Sequence, residues 1–204
     1  IPMTPHPDSI IPLPGGRMVE VKVHGCLWSG RYPENSLLAV EECYRAKVAR
    51  AEIDIAMLAG ADFAVIHDLT LDAATDGRGP VAQLGSGALA RLRLRGPDGQ
   101  VTDVRPALFS EVAELIRRQP YPTLLELDLK DIEPLPWPRV EELARLVEPV
   151  KDRVVLNGVA DWNLRRLLAV DPSLPVGFDP MGYLDWVPPG QEDEGEGLPR
   201  GAYG

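Results

Sequence analysis

Residues 51–58 read AEIDIAML and residues 123–130 read TLLELDLK, two runs in which apolar and ionisable side chains alternate. Alternate side chains of an extended chain share a face. Ile53 and Ile55 therefore oppose Glu52 and Asp54, and Leu125, Leu127 and Leu129 oppose Glu126, Asp128 and Lys130. Residues 18–25, MVEVKVHG, repeat the pattern, with Val19, Val21 and Val23 facing away from Glu20, Lys22 and His24. In residues 62–68, DFAVIHD, Phe63 and Val65 lead up to His67. Four strands are thus expected to turn acids, imidazoles and a lysine toward one interior, gathered at the strands' C-terminal ends.

Helical stretches separate most of these runs, at residues 35–49, 109–119, 140–150 and 162–170, and further β-rich runs follow at 153–158 and 174–178. A parallel crossover needs a dozen or more residues, so this rhythm builds a parallel sheet. The fold class is α/β, a (β/α)8 TIM barrel in one domain over residues 1–204, with an irregular leader at 1–17 and a loop or truncated end at 187–204. About six strands are visible where a full barrel takes about 250 residues, so the barrel reads as short at its C-terminal end. An open doubly wound sheet is the alternative, but it does not explain why the polar residues fall at strand ends, where barrel enzymes keep their sites.

The composition, 45% hydrophobic and 25% charged over 204 residues, supports one large core. No run approaches the roughly 20 apolar residues of a membrane span, and the opening residues lack the basic and apolar parts of a signal peptide. No stable membrane insertion and a cytoplasmic location are expected. The chain does not begin with Met, so a removed leader stays open. A net charge of -10, from 21 Lys+Arg against 31 Asp+Glu, opposes nucleic acid as a partner and points to a small molecule. The acidic run QEDEGEG, residues 191–197, reads as a solvated loop. Cys26 and Cys43 have neither metal-site spacing nor the density of a disulfide scaffold, and read as reduced, packed thiols.

Burying so many ionisable groups is costly unless they are paired or hold a metal. Glu52, Asp54 and Asp128 form a hard, all-oxygen set suited to Mg²⁺ or Ca²⁺. His24 and His67 carry imidazoles that titrate near neutrality, so the two can give and take protons within one cycle. His6 lies in the Pro-rich leader and is incidental. Lys22 and Glu126 both point inward one layer below, where a lone charge would be expensive, and are expected to pair across the barrel.

The strings VHG, RYPENSLLAV, AEIDIAML, VIHDLTLDAATDGRGPV and LELDLK resemble the glycerophosphodiester phosphodiesterase family in order and spacing, from His24 to Lys130. HDLTLDAATDGRGPV is the most specific piece. The resemblance implies a (β/α)8 barrel that hydrolyses glycerophosphodiesters to glycerol 3-phosphate and an alcohol with Mg²⁺ or Ca²⁺. It implies His24 and His67 as catalytic residues and Glu52 and Asp54 as metal acids. Asp128 stands where the family has a Glu, and Lys130 falls beside the phosphate. In the family the nucleophile is often taken to be the substrate's own glycerol hydroxyl, through a cyclic phosphate that water opens. The family's His-Arg-Gly is here His24-Gly25, without the guanidinium that would clamp the phosphate. Arg31, in a connection one residue longer, is either its substitute or a surface residue, the commoner state of arginine. Pro33, Glu34 and Asn35 match the family's Pro-Glu-Asn, whose simplest role is to start the next helix and brace the first loop. Two alternatives remain: a related enzyme for lysophospholipids or inositol lipids, and a barrel that binds a phosphodiester without turning it over.

Overall fold

The structure, a computed structural model, describes residues 4–180, so the end segment at 187–204 and its acidic run lie outside the described residues. β4 (Arg50–Met57) organises the sheet because both of its edges are used. On one edge it runs parallel to β7 (Leu124–Leu129), with Glu52 opposite Glu126 and Asp54 opposite Asp128, and β8 (Val154–Asn157) lies parallel on the far side of β7. On the other edge β3 (Lys22–Val23) runs parallel to Arg50 and Ala51. The chain then leaves the sheet at His24, and β5 (Phe63–Val65) takes the vacated edge antiparallel, opposite Ile55, Ala56 and Met57. β6 (Ala107–Leu108) adds antiparallel to β5.

Beyond β8 the parallel series continues as a bridge between Leu156 and Val176. The parallel strands β3, β4, β7 and β8 and the Val176 bridge therefore follow one another in chain order with no reversal. A doubly wound sheet reverses its strand order at a switch point; an unreversed, singly wound order is the arc of a (β/α) barrel.

The crossovers are α1 (Leu37–Ala46), α3 (Phe109–Arg118), α4 (Trp137–Val147) and α5 (Asp161–Val170). The apolar face of β4 and β7, with Ile53, Ile55, Leu125, Leu127 and Leu129, packs into one core with Val40, Tyr44, Val112, Ile116, Val140 and Leu143 from the helices. α1 starts where Ser36 Oγ accepts the Ala39 N–H at 3.1 Å and stops at Lys47, whose φ of 61° ends the helical repeat. The segment between β5 and β6, with the single turn α2 (Ser86–Leu89), packs a smaller cluster of Leu71, Val81 and Leu89 against Ala56, Ala64 and Ile66. Among the described residues no helix is long and apolar enough to cross a membrane.

Two strands differ from their sequence reading. The run from Met18 to Gly25 is broken: β2 (Met18–Glu20) pairs antiparallel with β1 (Ile10–Pro12), a strand inside the presumed leader, and only Lys22 and Val23 enter the barrel. Val21 donates its N–H to Ser9 O at 2.9 Å and Glu20 binds Arg50 Nε at 2.6 Å, so Glu20 lies outside the interior. β5 is also not a barrel strand. Residues 58–62 between β4 and β5 are far too few for a parallel crossover, and Asp62, at φ 79°, turns the chain straight back.

Candidate active site

Strand alternation places Glu52 and Asp54 on one face of β4, and the parallel register sets Asp128 directly beside Asp54. Ligand oxygens of Glu52, Asp54 and Asp128 lie within 4.8 Å of one another. Glu52 is 3% exposed and Asp54 5%. Burial, reinforced by the neighbouring Asp54 charge, pushes the Glu52 carboxyl up to about 7, although the Gly25 N–H donates to Glu52 Oε2 at 2.8 Å and favours its ionised form.

Cationic and acid/base groups close on this cluster. Lys130 Nζ lies 3.2 Å from Asp128 Oδ2 and 3.3 Å from Asp54 Oδ1. Burial works against its ammonium, but the two carboxylates outweigh burial and hold its pKa above the ordinary lysine value. His24 sits in a one-turn 3-10 segment at the end of β3 rather than in the strand, with Nδ1 3.3 Å from Glu52 Oε2. His67 arrives from the hairpin: Ile66 donates its N–H to Asp54 O at 3.0 Å, which brings the next residue to the cluster, and His67 Nδ1 lies 2.9 Å from Asp68 Oδ1. Both imidazoles remain largely open to solvent.

The structure thus gathers all six residues singled out from the sequence, His24, Glu52, Asp54, His67, Asp128 and Lys130, around one cleft of about 370 Å³, which Gly25, Leu27 and Glu34 also line. Three clustered carboxylates, one of them pushed up by burial and mutual repulsion, suit a hard divalent cation, whose charge would relieve that repulsion. One layer below, Lys22 Nζ and Glu126 Oε1 meet at 2.8 Å, as expected, and Asn157 Nδ2 donates to the same oxygen at 3.0 Å.

Other residues at the site were less legible. Asn35 Nδ2 donates to Asp54 Oδ2 at 2.8 Å while the Asp54 N–H donates to Asn35 Oδ1 at 2.9 Å, so this loop residue orients a cluster acid directly. The Asn35 N–H in turn donates to Gly25 O at 2.9 Å, which ties the histidine loop to the same residue. Gly25 has φ +54°, and a Cβ there would stand 3.0 Å from Glu34 Cβ, so a side chain at this position would strain the backbone and crowd Glu34. Arg31 is exposed, with its guanidinium 5.5 Å over the Tyr32 ring, and does not line the cleft. Cys26 and Cys43 are buried free thiols; Cys43 Sγ donates to Cys26 O at 3.5 Å, and burial holds the Cys26 thiol well above its usual range, which suits packing.

Residues 28–178 match the model of the Glycerophosphoryl diester phosphodiesterase family. A glycerophosphodiester phosphodiesterase of Caldanaerobacter subterraneus is 26% identical over 157 residues, covering 74% of this chain and 62% of the relative. A crystal structure of a glycerophosphoryl diester phosphodiesterase from Parabacteroides distasonis superposes with a TM-score of 0.64 at 25% identity, over 84% of this chain and 55% of that one. An Oleispira antarctica phosphodiesterase, solved in complex with the product sn-glycerol-3-phosphate, has the same fold at a TM-score of 0.60 and 23% identity, over 77% of this chain and 64% of that one. The chain therefore spans less than two thirds of the length of each of these relatives.

Proposed function

The chain belongs to the glycerophosphoryl diester phosphodiesterase family, and from that membership and the geometry of the cleft we propose that it hydrolyses glycerophosphodiesters to glycerol 3-phosphate and an alcohol. The observation that carries this reading is the convergence of two imidazoles, one ammonium and three carboxylates on a single cleft. Glu52, Asp54 and Asp128 are the residues that would hold Mg²⁺ or Ca²⁺. Such an ion, when bound, supplies charge that offsets the phosphate oxygens.

Lys130 stands beside the same acids and provides a second positive charge for the phosphate. A carboxylate at each Nδ1, Glu52 for His24 and Asp68 for His67, favours the tautomer with its proton there and leaves Nε2 as the base. One histidine takes the proton from the attacking hydroxyl, and the other gives a proton to the leaving alkoxide as its bond to phosphorus breaks. If the substrate's glycerol hydroxyl attacks, a cyclic phosphate forms, and water opens it with the two roles exchanged. The net charge of -10 opposes a polyanionic substrate and favours a small diester.

The test is release of glycerol 3-phosphate from glycerophosphocholine and glycerophosphoethanolamine with Mg²⁺, with Ca²⁺ and with chelator. Cation-dependent release that disappears in His24→Ala and His67→Ala is expected. A folded protein that releases nothing with either ion would instead act on a different phosphodiester or be a phosphodiester-binding barrel, with the guanidinium absent after His24 as the physical cause.

A further inference from the structure

Beside the catalytic cleft lies a second pocket of about 420 Å³, which shares Leu27, Glu34 and His67 with it. The shared walls make it the natural continuation of any substrate whose phosphorus sits at Lys130. Its far side is formed by the turn at residues 95–100, with Arg95 on the pocket wall. The Arg95 guanidinium is held in place, since Nε donates to Thr75 O at 2.9 Å and Nη1 to Gly99 O at 3.1 Å. Among the described residues no carboxylate pairs with it; Arg93, Arg153 and Arg166 share that state, but of these four only Arg95 lines the pocket. Glu34 has no hydrogen-bonded or ionic partner among the described residues either, and it stands where cleft and pocket join. The charges met on the way out of the cleft are therefore positive at Lys130, negative at Glu34 and positive at Arg95.

We propose that this pocket binds the leaving alcohol and selects one that is zwitterionic, with an ammonium near the phosphate and a carboxylate beyond it, as in a phosphoserine headgroup. The ammonium meets Glu34 at the junction and the carboxylate meets Arg95, whose Nη2 and second Nη1 hydrogen remain after its two backbone bonds. Apolar Ile66, Ala73 and Leu94 line the remaining wall, so a headgroup without a carboxylate would leave the guanidinium unmatched. The assignment rests on the reading of the cleft as a phosphodiester site.

Calorimetric binding of O-phosphoserine and phosphoethanolamine in the presence of Mg²⁺ separates the two readings without turnover. A charge-assisted contact of this kind makes O-phosphoserine bind about tenfold tighter. Arg95→Met should abolish that difference and leave phosphoethanolamine unchanged, while Glu34→Gln should weaken both ligands. In turnover, kcat/KM for glycerophosphoserine over glycerophosphoethanolamine should fall by the same factor in Arg95→Met. Equal binding of the two phosphomonoesters by the wild-type protein would overturn the serine assignment and leave the phosphodiester site standing, a result that does not depend on any variant folding. Binding of neither would overturn both.

Discussion

Replacing Asn35 with Ala asks whether a cluster acid is held by its own strand or by the loop that precedes α1. Asn35 is 3% exposed and Asp54 5%, so water cannot readily replace what is removed. The variant leaves the Asp54 N–H buried without the acceptor now at 2.9 Å, a cost of about 1–3 kcal/mol. It deletes the bond to the Asp54 carboxylate at 2.8 Å, and hydrogen bonds to charged groups contribute about 1.5–3 kcal/mol. It also sets alanine at φ +57°, a conformation that asparagine tolerates and alanine does not, for about 1–2 kcal/mol more. These contributions share one side chain and do not add fully, so the expected loss is about 3–5 kcal/mol. Asn35→Gly removes the same bonds without the backbone strain and should be milder by about 1 kcal/mol. Urea unfolding followed by far-UV circular dichroism measures both, and Asn35→Ala within roughly 0.5 kcal/mol of wild type would refute the argument.

Lys22→Met should destabilise by about 1–2 kcal/mol, because among the described residues the half-buried Glu126 keeps only Asn157. The Lys22→Met, Glu126→Leu double variant should recover part of that loss, and strictly additive losses in a double-mutant cycle would contradict the pairing. The Glu52 carboxyl, raised from 4.5 to about 7, binds its proton more tightly in the folded than in the unfolded chain. Without a cation its stabilising contribution is therefore fully present below about pH 4.5 and is lost as pH rises through 7. Cation binding must displace that proton, so apparent Mg²⁺ or Ca²⁺ affinity should climb with pH across the same window, and a climb just as steep in Glu52→Gln would argue against this carboxyl as its source. Gly25→Arg, which sets a guanidinium next to His24 at the expense of the glycine, should lower turnover rather than raise it, since φ +54° and Glu34 Cβ at 3.0 Å both oppose a side chain. Higher activity in that variant would show that the loop relaxes to accept it.

The residues of the site were legible because alternation in β4 and β7 is a strict period of two, and one tight register then sets Asp54 beside Asp128. Short runs carry less information. DFAVIHD reads as one more barrel strand from its apolar content, yet the few residues separating it from β4 allow only a hairpin. Loop length, not pattern, decides its direction. That direction has a chemical consequence, because an antiparallel β5 returns toward Asp54 and delivers His67 to the cluster, whereas a parallel one would carry it elsewhere. MVEVKVHG fails differently: its alternation is genuine, but Ser9 and Arg50 compete for Val21 and Glu20 from elements remote in the chain. Asn35 and Gly25 act through main-chain conformation and single hydrogen bonds, which leave no periodic trace. Their only local signal is the Pro33-Glu34-Asn35 string, and its role is larger than starting a helix: Asn35 orients Asp54 and anchors Gly25, whose N–H holds Glu52. A loop that fixes two of three acids and carries one of two histidines makes the geometry of the cleft depend on a turn as much as on the barrel.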